Sequence, residues 1–398
     1  MSSTTQRFDN LDIMRGLTIT MLMLTMVPWL SGYYIVNRVA LEPGFYGVLD
    51  NALFTTIYFL FIGKAVYLFA FMFGIGISIQ INNARARLQP DFNAYFIRRM
   101  LWLLFFGVLN SIFLWPGDVL RFYALVGLLL LPIACYSQRV LLILAAAAIF
   151  YPLVMLSLDY YFALGLPSLP RGPVILPEYS LYIHQSGSYW DFMANNVTDS
   201  LTRFLRRLRL SNGEGFKLFA SMLIGVLIGR SSVLSNVDFF REKLKQYILW
   251  ILPVSAFSEG IYTLVRYGNV EAEWLDFLRE PGIGKILYQL LHTLGTLGLA
   301  ISYLCIVALV LQNEKFYRKL HVFSYVGRGA LTNYILMVFF AGLVFYGPFG
   351  LGFYGQLSFT MSLILFIGIF AIQIALCRLW FMHFKMGPLE KVWRKLAN

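Results

Sequence analysis

The sequence predicts an all-α fold, a polytopic transmembrane helix bundle of about ten spans with one long extracytoplasmic loop. Three observations lead there. Apolar residues make up 59% of the 398 and charged residues only 13%, with a mean hydropathy of +0.69. Soluble domains carry about 25% charged and 45–50% apolar residues, so this excess does not fit in an aqueous core. The apolar residues also fall into runs near the ~20 residues that a helix needs to cross about 30 Å of hydrocarbon. Finally, the basic residues gather in alternate connections, as expected of loops retained in the cytoplasm. One membrane domain, 1–398, accounts for the chain.

The first span is read at 12–33. Asp9 and Asp12 precede it, no small-residue cleavage site follows, and the run exceeds a signal core, so it stays attached as a transmembrane helix. Asp12 and Arg15 stand three apart, on one helix face, and can pair. The second span, 53–80, carries Lys64 near its middle, about a dozen residues from either boundary. A lysine at that depth needs a carboxylate or a wet cavity. It is either a functional group or half of a structural ion pair. Gly74 and Gly76 are expected to form a close-packing face.

Spans three to five fall at 97–115, 119–136 and 139–162. The connection Trp115-Pro116-Gly117-Asp118 reads as a tight outer turn, with Asp118 capping the next helix. Asn110, about two turns deeper, is not explained by capping. The connection 163–216 is the long one, expected on the outer face. Within it, 190–210 places Phe192, Val197, Leu201, Phe204, Leu205 and Leu208 between arginines. That spacing suits an amphipathic helix lying on lipid headgroups, or equally one packed on the bundle.

The remaining spans are 216–233, 247–265, 285–312, 328–347 and 358–382. Glu259 and His292 sit in the seventh and eighth, at a depth comparable with Asn110. A carboxylate beside an imidazole can orient it as a general base, although a lone buried histidine is often simply hydrogen-bonded. Arg328 opens the ninth span between Gly327 and Gly329, and Asn333 lies a little over one turn deeper. Asp12, Arg15 and Arg328 are expected to converge at one mouth. Lys64, Asn110 and His292 are expected to share a polar pocket opening outward, because lipid offers polar groups no partner. With the N-terminus inside, 20 of the 32 Lys and Arg residues fall on the cytoplasmic side. Both termini are then expected to be cytoplasmic.

Several function classes drop out. No basic tract interleaved with aromatics lies outside the spans except Arg203, Arg206, Arg207 and Arg209, so nucleic acid is not a partner. The three cysteines, Cys135, Cys305 and Cys377, form no CxxC pair and imply neither a disulfide frame nor a metal site. Phosphate loops, dinucleotide glycines and nucleophile elbows are missing, which excludes an ATP-driven pump.

Six phrases in series resemble the YeiB-like family of bacterial inner-membrane proteins. They are Arg7-Phe-Asp-Asn-Leu-Asp12-Ile-Met-Arg15-Gly16, Gly63-Lys64 leading to Leu68-Phe-Ala-Phe-Met-Phe-Gly74-Ile-Gly76, and Arg98-Arg99. Next come Leu114-Trp115-Pro116-Gly117-Asp118-Val-Leu120, Gly327-Arg328-Gly-Ala-Leu-Thr332-Asn333-Tyr334, and Gly387-Pro388-Leu389-Glu390-x-x-Trp393-Arg394. The first helix is also similar to that of multi-helix membrane acyltransferases, which carry Arg-Gly at its start and His or Asn eleven positions after the Arg. That position here is Met26, and YeiB-like relatives tend to have His where this chain has Asn110.

The resemblance implies a membrane acyltransferase moving an acyl group from cytoplasmic acyl-coenzyme A to an outward acceptor. Arg15, Arg98, Arg99 and Arg328 would hold the donor's phosphates, since guanidinium forks suit them. Trp115, Asp118 and Asn110 would flank the acceptor, with His292 the buried base. The alternative is a non-enzymatic protein that binds or conducts a lipid, quinone or small solute, with Lys64 paired to Glu259 or to an anionic ligand. Membrane lipid, a small-molecule, lipid or glycan substrate and a second copy in a homodimer are the expected partners. Asp12, Arg15, Arg98, Arg99, Trp115, Asp118, Glu259, Arg328 and Asn333 are the expected lining; Lys64, Asn110 and His292 are the reactive candidates.

Overall fold

A computed structural model describes residues 3–36, 45–162, 177–208, 213–231, 233–234, 236–268, 272–280 and 282–398. Among them there is helix and no strand. The order is α1 (Ser3–Leu30), α2 (Tyr33–Val36), α3 (Phe45–Leu60), α4 (Lys64–Ala86), α5 (Phe92–Phe113) and α6 (Leu120–Ile133). Then follow α7 (Gln138–Phe162), α8 (Pro177–Ser186), α9 (Tyr189–Leu208), α10 (Glu214–Arg230), α11 (Val237–Tyr267) and α12 (Glu273–Arg279). The last six are α13 (Ile283–Val310), α14 (Glu314–Leu320), α15 (Val322–Arg328), α16 (Ala330–Phe345), α17 (Phe359–His383) and α18 (Pro388–Ala397).

Every segment expected to span is helical. Among the described residues, seven stretches are long and apolar enough to cross a membrane, or eight when the bent pair α15–α16 is taken as one. The other two of the expected ten are short. α6 has 14 residues, roughly 21 Å at 1.5 Å per residue. α10 has 17 and carries Glu214, Lys217 and Arg230.

Glycine sets the closest crossings, because apolar helices in lipid associate by backbone approach and dispersion. A Cβ at Gly74 would lie 2.1 Å from the Met222 carbonyl oxygen, and one at Gly225 2.2 Å from that of Phe71, which locks α4 onto α10. Gly16 and Gly327 do the same for α1 and α15. Gly76 does not share the packing role expected of it. Its nearest neighbour is the Arg15 guanidinium, and it lines a cleft.

Two breaks interrupt the long helices. At Gly63 the backbone turns to φ +85°, favoured by glycine, and splits the second expected span into α3 and α4. Freed carbonyls in lipid need partners. Lys64 donates to the Tyr58 carbonyl at 3.0 Å, and the Tyr303 hydroxyl to that of Leu60 at 2.9 Å. At Gly329 the expected ninth span is two helices meeting at 93°. Asn333 holds this bend. Its amide donates to Val326 and Gly329 carbonyls, while its Oδ1 accepts from Gln373 and Cys377. Glu390 of α18 caps the bend, accepting from the backbone N–H groups of Leu331 and Thr332.

The long connection is more structured than an open loop. Its 163–176 and 209–212 parts, Arg209 included, lie outside the described residues; the described part contains α8 and α9. α9 packs on the bundle through Phe192, Asn195, Asn196 and Ser200, all buried, while Trp190, Val197 and Leu201 face outward. The Trp115–Asp118 turn is therefore not an outermost turn. It lies under α9, whose Arg207 donates to the carbonyls of Gly117 and Asp118.

Candidate functional site

At the end of the bundle covered by α9, the helix ends enclose a chamber of about 490 Å³. Aromatic and aliphatic side chains form most of its wall, including Leu22, Met26, Trp29, Tyr58, Tyr67, Trp115, Tyr262, Tyr267 and Tyr288. Into it come Arg203, Arg206 and Arg207 from α9, Arg266 from the end of α11 and Lys285 from the start of α13. Glu214 is the one carboxylate among the described lining residues. Arg203 is paired with Asp199 at 2.8 Å. The other four cations have no carboxylate within ion-pair distance among the described residues. Arg266 instead donates to the hydroxyls of Tyr262 and Tyr267, at 2.8 and 3.1 Å, and lies over the Tyr58 and Tyr267 rings. Cation–π contacts hold a guanidinium without neutralising it.

His292 lines this chamber; Lys64 and Asn110 do not. The pocket expected to contain all three is resolved into separate parts. Lys64 is fully buried behind the wall and ion-paired with Glu259, itself fully buried. Two of the three Lys64 N–H donors thus serve the α3–α4 break and Glu259, in the manner of the ion-pair alternative read from the sequence. The second oxygen of Glu259 lies 3.7 Å from His292 Nδ1, and neither atom has a hydrogen-bond partner among the described residues. The imidazole stacks on Tyr262 with ring centres 4.0 Å apart.

Asn110 is instead taken up by Asp118. It donates to Asp118 Oδ2 at 2.7 Å, and the Tyr334 hydroxyl donates to the same oxygen at 3.2 Å. Asp118 Oδ1 accepts from the Arg121 backbone N–H, the helix cap that the sequence suggests. Beneath this layer lies a second, cleft-like space of about 210 Å³ opening toward the chain termini. Val119 faces the chamber and Leu120 the cleft.

The cleft and the wider mouth beyond it share Gln80, Arg99, Arg328, Glu390 and Trp393. Asp12, Arg15 and Arg328 do come together there. Arg15 pairs with Asp12 at 3.1 Å, and Arg328 with Asp9 at 3.1 Å and Asp12 at 3.7 Å. Arg99 donates to Gln80 at 2.8 Å and stacks on Trp393, whose indole N–H donates back to the Arg99 carbonyl. Arg98 donates to the carbonyl oxygens of Ala397 and Asn398. Asn333, expected in the same cavity, is spent on the bend.

Comparison with known proteins places this architecture. A family described as "Protein of unknown function (DUF418)" matches residues 228–398. The uncharacterized protein YxaH of Bacillus subtilis (strain 168) is 25% identical, covering 98% of this chain and 94% of its own. The uncharacterized protein YeiB of Escherichia coli (strain K12) is 25% identical, covering 98% and 96%. An uncharacterized 39.9 kDa protein encoded in the amylase 3' region of Bacillus acidopullulyticus is 26% identical over 98% and 94%. This family match and these near-full-length relatives support a YeiB-like family for the chain. None of these descriptions carries an activity, so they lend acyl transfer no support.

In structural terms, the YeiB-like phrases of this chain are mostly joints. Gly16 and Gly327 pack α1 on α15, Gly74 packs α4 on α10, and Glu390 and Trp393 tie α18 to the bend and to α5. The chamber's cations lie outside those phrases, and Arg206, Arg207, Arg266 and Lys285 were not among the expected site residues. One signal pointed to them: basic residues in connections assigned to the outside, against the usual bias.

Proposed function

We propose that this YeiB-like protein is a membrane-embedded binding and transport protein for an anionic amphiphile, received in the chamber beneath α9. The observation that carries this reading is the set of Arg206, Arg207, Arg266 and Lys285, unpaired with carboxylates among the described residues, around an aromatic wall. Arg207 is part-buried and the other three keep exposed side chains, yet like charges gathered around one cavity repel one another unless something negative joins them. An anionic headgroup supplies that charge, and an apolar tail suits Leu22, Met26 and the tyrosines. The cleft on the far side of the Asp118–Tyr334 layer gives the ligand an exit toward the termini. In the orientation set by the short connections, the chamber faces outward and both termini are cytoplasmic.

Lipid extracted from purified protein tests this. Wild type carries an anionic amphiphile above its abundance in the surrounding detergent extract, and the Arg206→Gln/Arg266→Gln variant does not. Equal enrichment of a zwitterionic lipid in both contradicts it. A second reading, acyl transfer, is favoured by one observation: Met26, where membrane acyltransferases keep a base, lines the same chamber as His292. Release of coenzyme A from an acyl-coenzyme A, lost in His292→Ala, would support that reading.

A further inference from the structure

Beside the chamber, behind Tyr262, lies a cluster of buried ionisable groups that ligand binding alone does not require. Its core is Glu259, with one oxygen on Lys64 and the other facing His292 Nδ1 across 3.7 Å with no hydrogen between them assigned to any other partner. Gly295 is what permits this. A Cβ there would lie 2.5 Å from that same Glu259 oxygen. An acceptor and a ring nitrogen, each without another partner among the described residues, face one another and are placed to share one proton. A buried acceptor left without a donor is otherwise unfavourable.

The ring is not sealed off. Its side chain is 16% exposed and lines the chamber, so water reaches it from the ligand's side. It is also linked to the cations that would hold a ligand: His292 stacks on Tyr262, and the Tyr262 hydroxyl accepts from Arg266. The charged and titratable groups around the ring come from each packed helix. α4 contributes Lys64, α10 Lys217, α11 Glu259, Tyr262 and Arg266, and α13 Tyr288. Lys217 is buried with its Nζ unpartnered among the described residues, over the Tyr67 ring at 5.8 Å. Cations therefore outnumber carboxylates in this cluster until an anion arrives.

We infer that His292 and Glu259 form a proton-binding site coupled to the chamber, so that the anionic amphiphile binds together with one proton. This rests on the anion-binding reading above. The step is balanced: a proton from chamber water adds to His292 Nδ1, is shared with the free Glu259 oxygen, and offsets the charge of the anion. No bond within the ligand changes. Each ligand makes the other's binding more favourable, and linkage makes that effect reciprocal. A chamber loaded in this way moves its anion with less net charge than the anion alone carries.

Decanesulfonate is a suitable probe because its own charge is constant, so any pH dependence belongs to the protein. Its affinity for the purified full-length protein in uncharged detergent is measured by calorimetry between pH 5.5 and 8, in two buffers of different protonation enthalpy. Wild type binds more tightly as pH falls, approaching tenfold per pH unit at one proton per ligand, and takes up protons on binding. His292→Gln still binds, with a flat profile and no uptake; Glu259→Gln/Lys64→Met, chosen to avoid a lone buried charge, also flattens it. Binding by wild type that is flat with pH overturns the coupling while leaving the anion site standing. No binding at any pH overturns the anion site, and the coupling with it. A slope retained in His292→Gln assigns the proton elsewhere and also overturns the inference.

Discussion

The two ends of the bundle use arginine in opposite ways. Toward the termini, Arg15 and Arg328 share Asp9 and Asp12, Arg99 has Gln80 and Trp393, and Arg98 holds the last carbonyls of the chain. Beneath α9, Arg206, Arg207, Arg266 and Lys285 surround a chamber with no carboxylate at ion-pair distance among the described residues. The same residue type is a joint at one end and an open valence at the other. What separates them is the acid content of the neighbouring helices rather than the number of arginines. A site is marked by charge left over after the protein's own contacts are counted.

The largest effect that sharpens this contrast concerns the ion pair behind the chamber. Removing one partner of a buried pair leaves an isolated charge, typically at 3–5 kcal/mol. Lys64→Met alone is expected to lower the thermal unfolding midpoint sharply, and Lys64→Met/Glu259→Gln to recover much of the loss. Equal damage in the single and double variants would show that the pair is not what holds this region together.

Next in size is an acid effect confined to the chamber end. His184 on α8 is buried against Tyr354, its Nδ1 at 2.7 Å from the Ser180 carbonyl, and burial lowers its pKa to about 4. The unfolded value is near 6.5. The folded form thus resists a proton that the unfolded form accepts. Stability is full above pH 6.5 and declines as pH falls from 6.5 toward 4, by on the order of 3 kcal/mol at about 1.4 kcal/mol per unit. Hydrogen exchange should show α8 opening over that window while α18 stays protected. His184→Phe should remove the dependence.

A smaller effect belongs to the terminal end. Glu390 supplies the cap that the 93° bend lacks, so Glu390→Ala should cost about 0.5–2 kcal/mol, the usual range for losing a helix cap. Exchange should rise at Leu331 and Thr332, with the chamber's ligand affinity unchanged. A loss of affinity there would mean that the two ends are coupled through the bend.

These contrasts also explain how much was legible in the sequence. The helices, their membrane character and the need of Lys64 for a partner follow from hydropathy and from the cost of a lone charge in lipid, and Glu259 was one of two partners considered. The meeting of Asp12, Arg15 and Arg328 followed from glycine positions and helix spacing. The breaks at Gly63 and Gly329 were not legible, because a continuous apolar run reads the same whether it is one helix or two. Nor was the chamber. Whether Arg206 is neutralised depends on which helices α9 packs against, and periodicity along one segment does not encode that. Conversely, Asn333 stood out by its chemistry, yet it is spent on holding backbone.

The central claim is that ligand charge is met by the unpaired cations and not by the paired ones. Calorimetric binding of decanesulfonate to Arg206→Gln/Arg266→Gln and to Arg15→Gln/Arg328→Gln, each compared with wild type, tests it directly. A charged hydrogen bond is worth about 1.5–3 kcal/mol, so the chamber variant should weaken binding at least tenfold while the terminal-end variant leaves it within about twofold. The reverse order, or equal loss in both, would contradict the account.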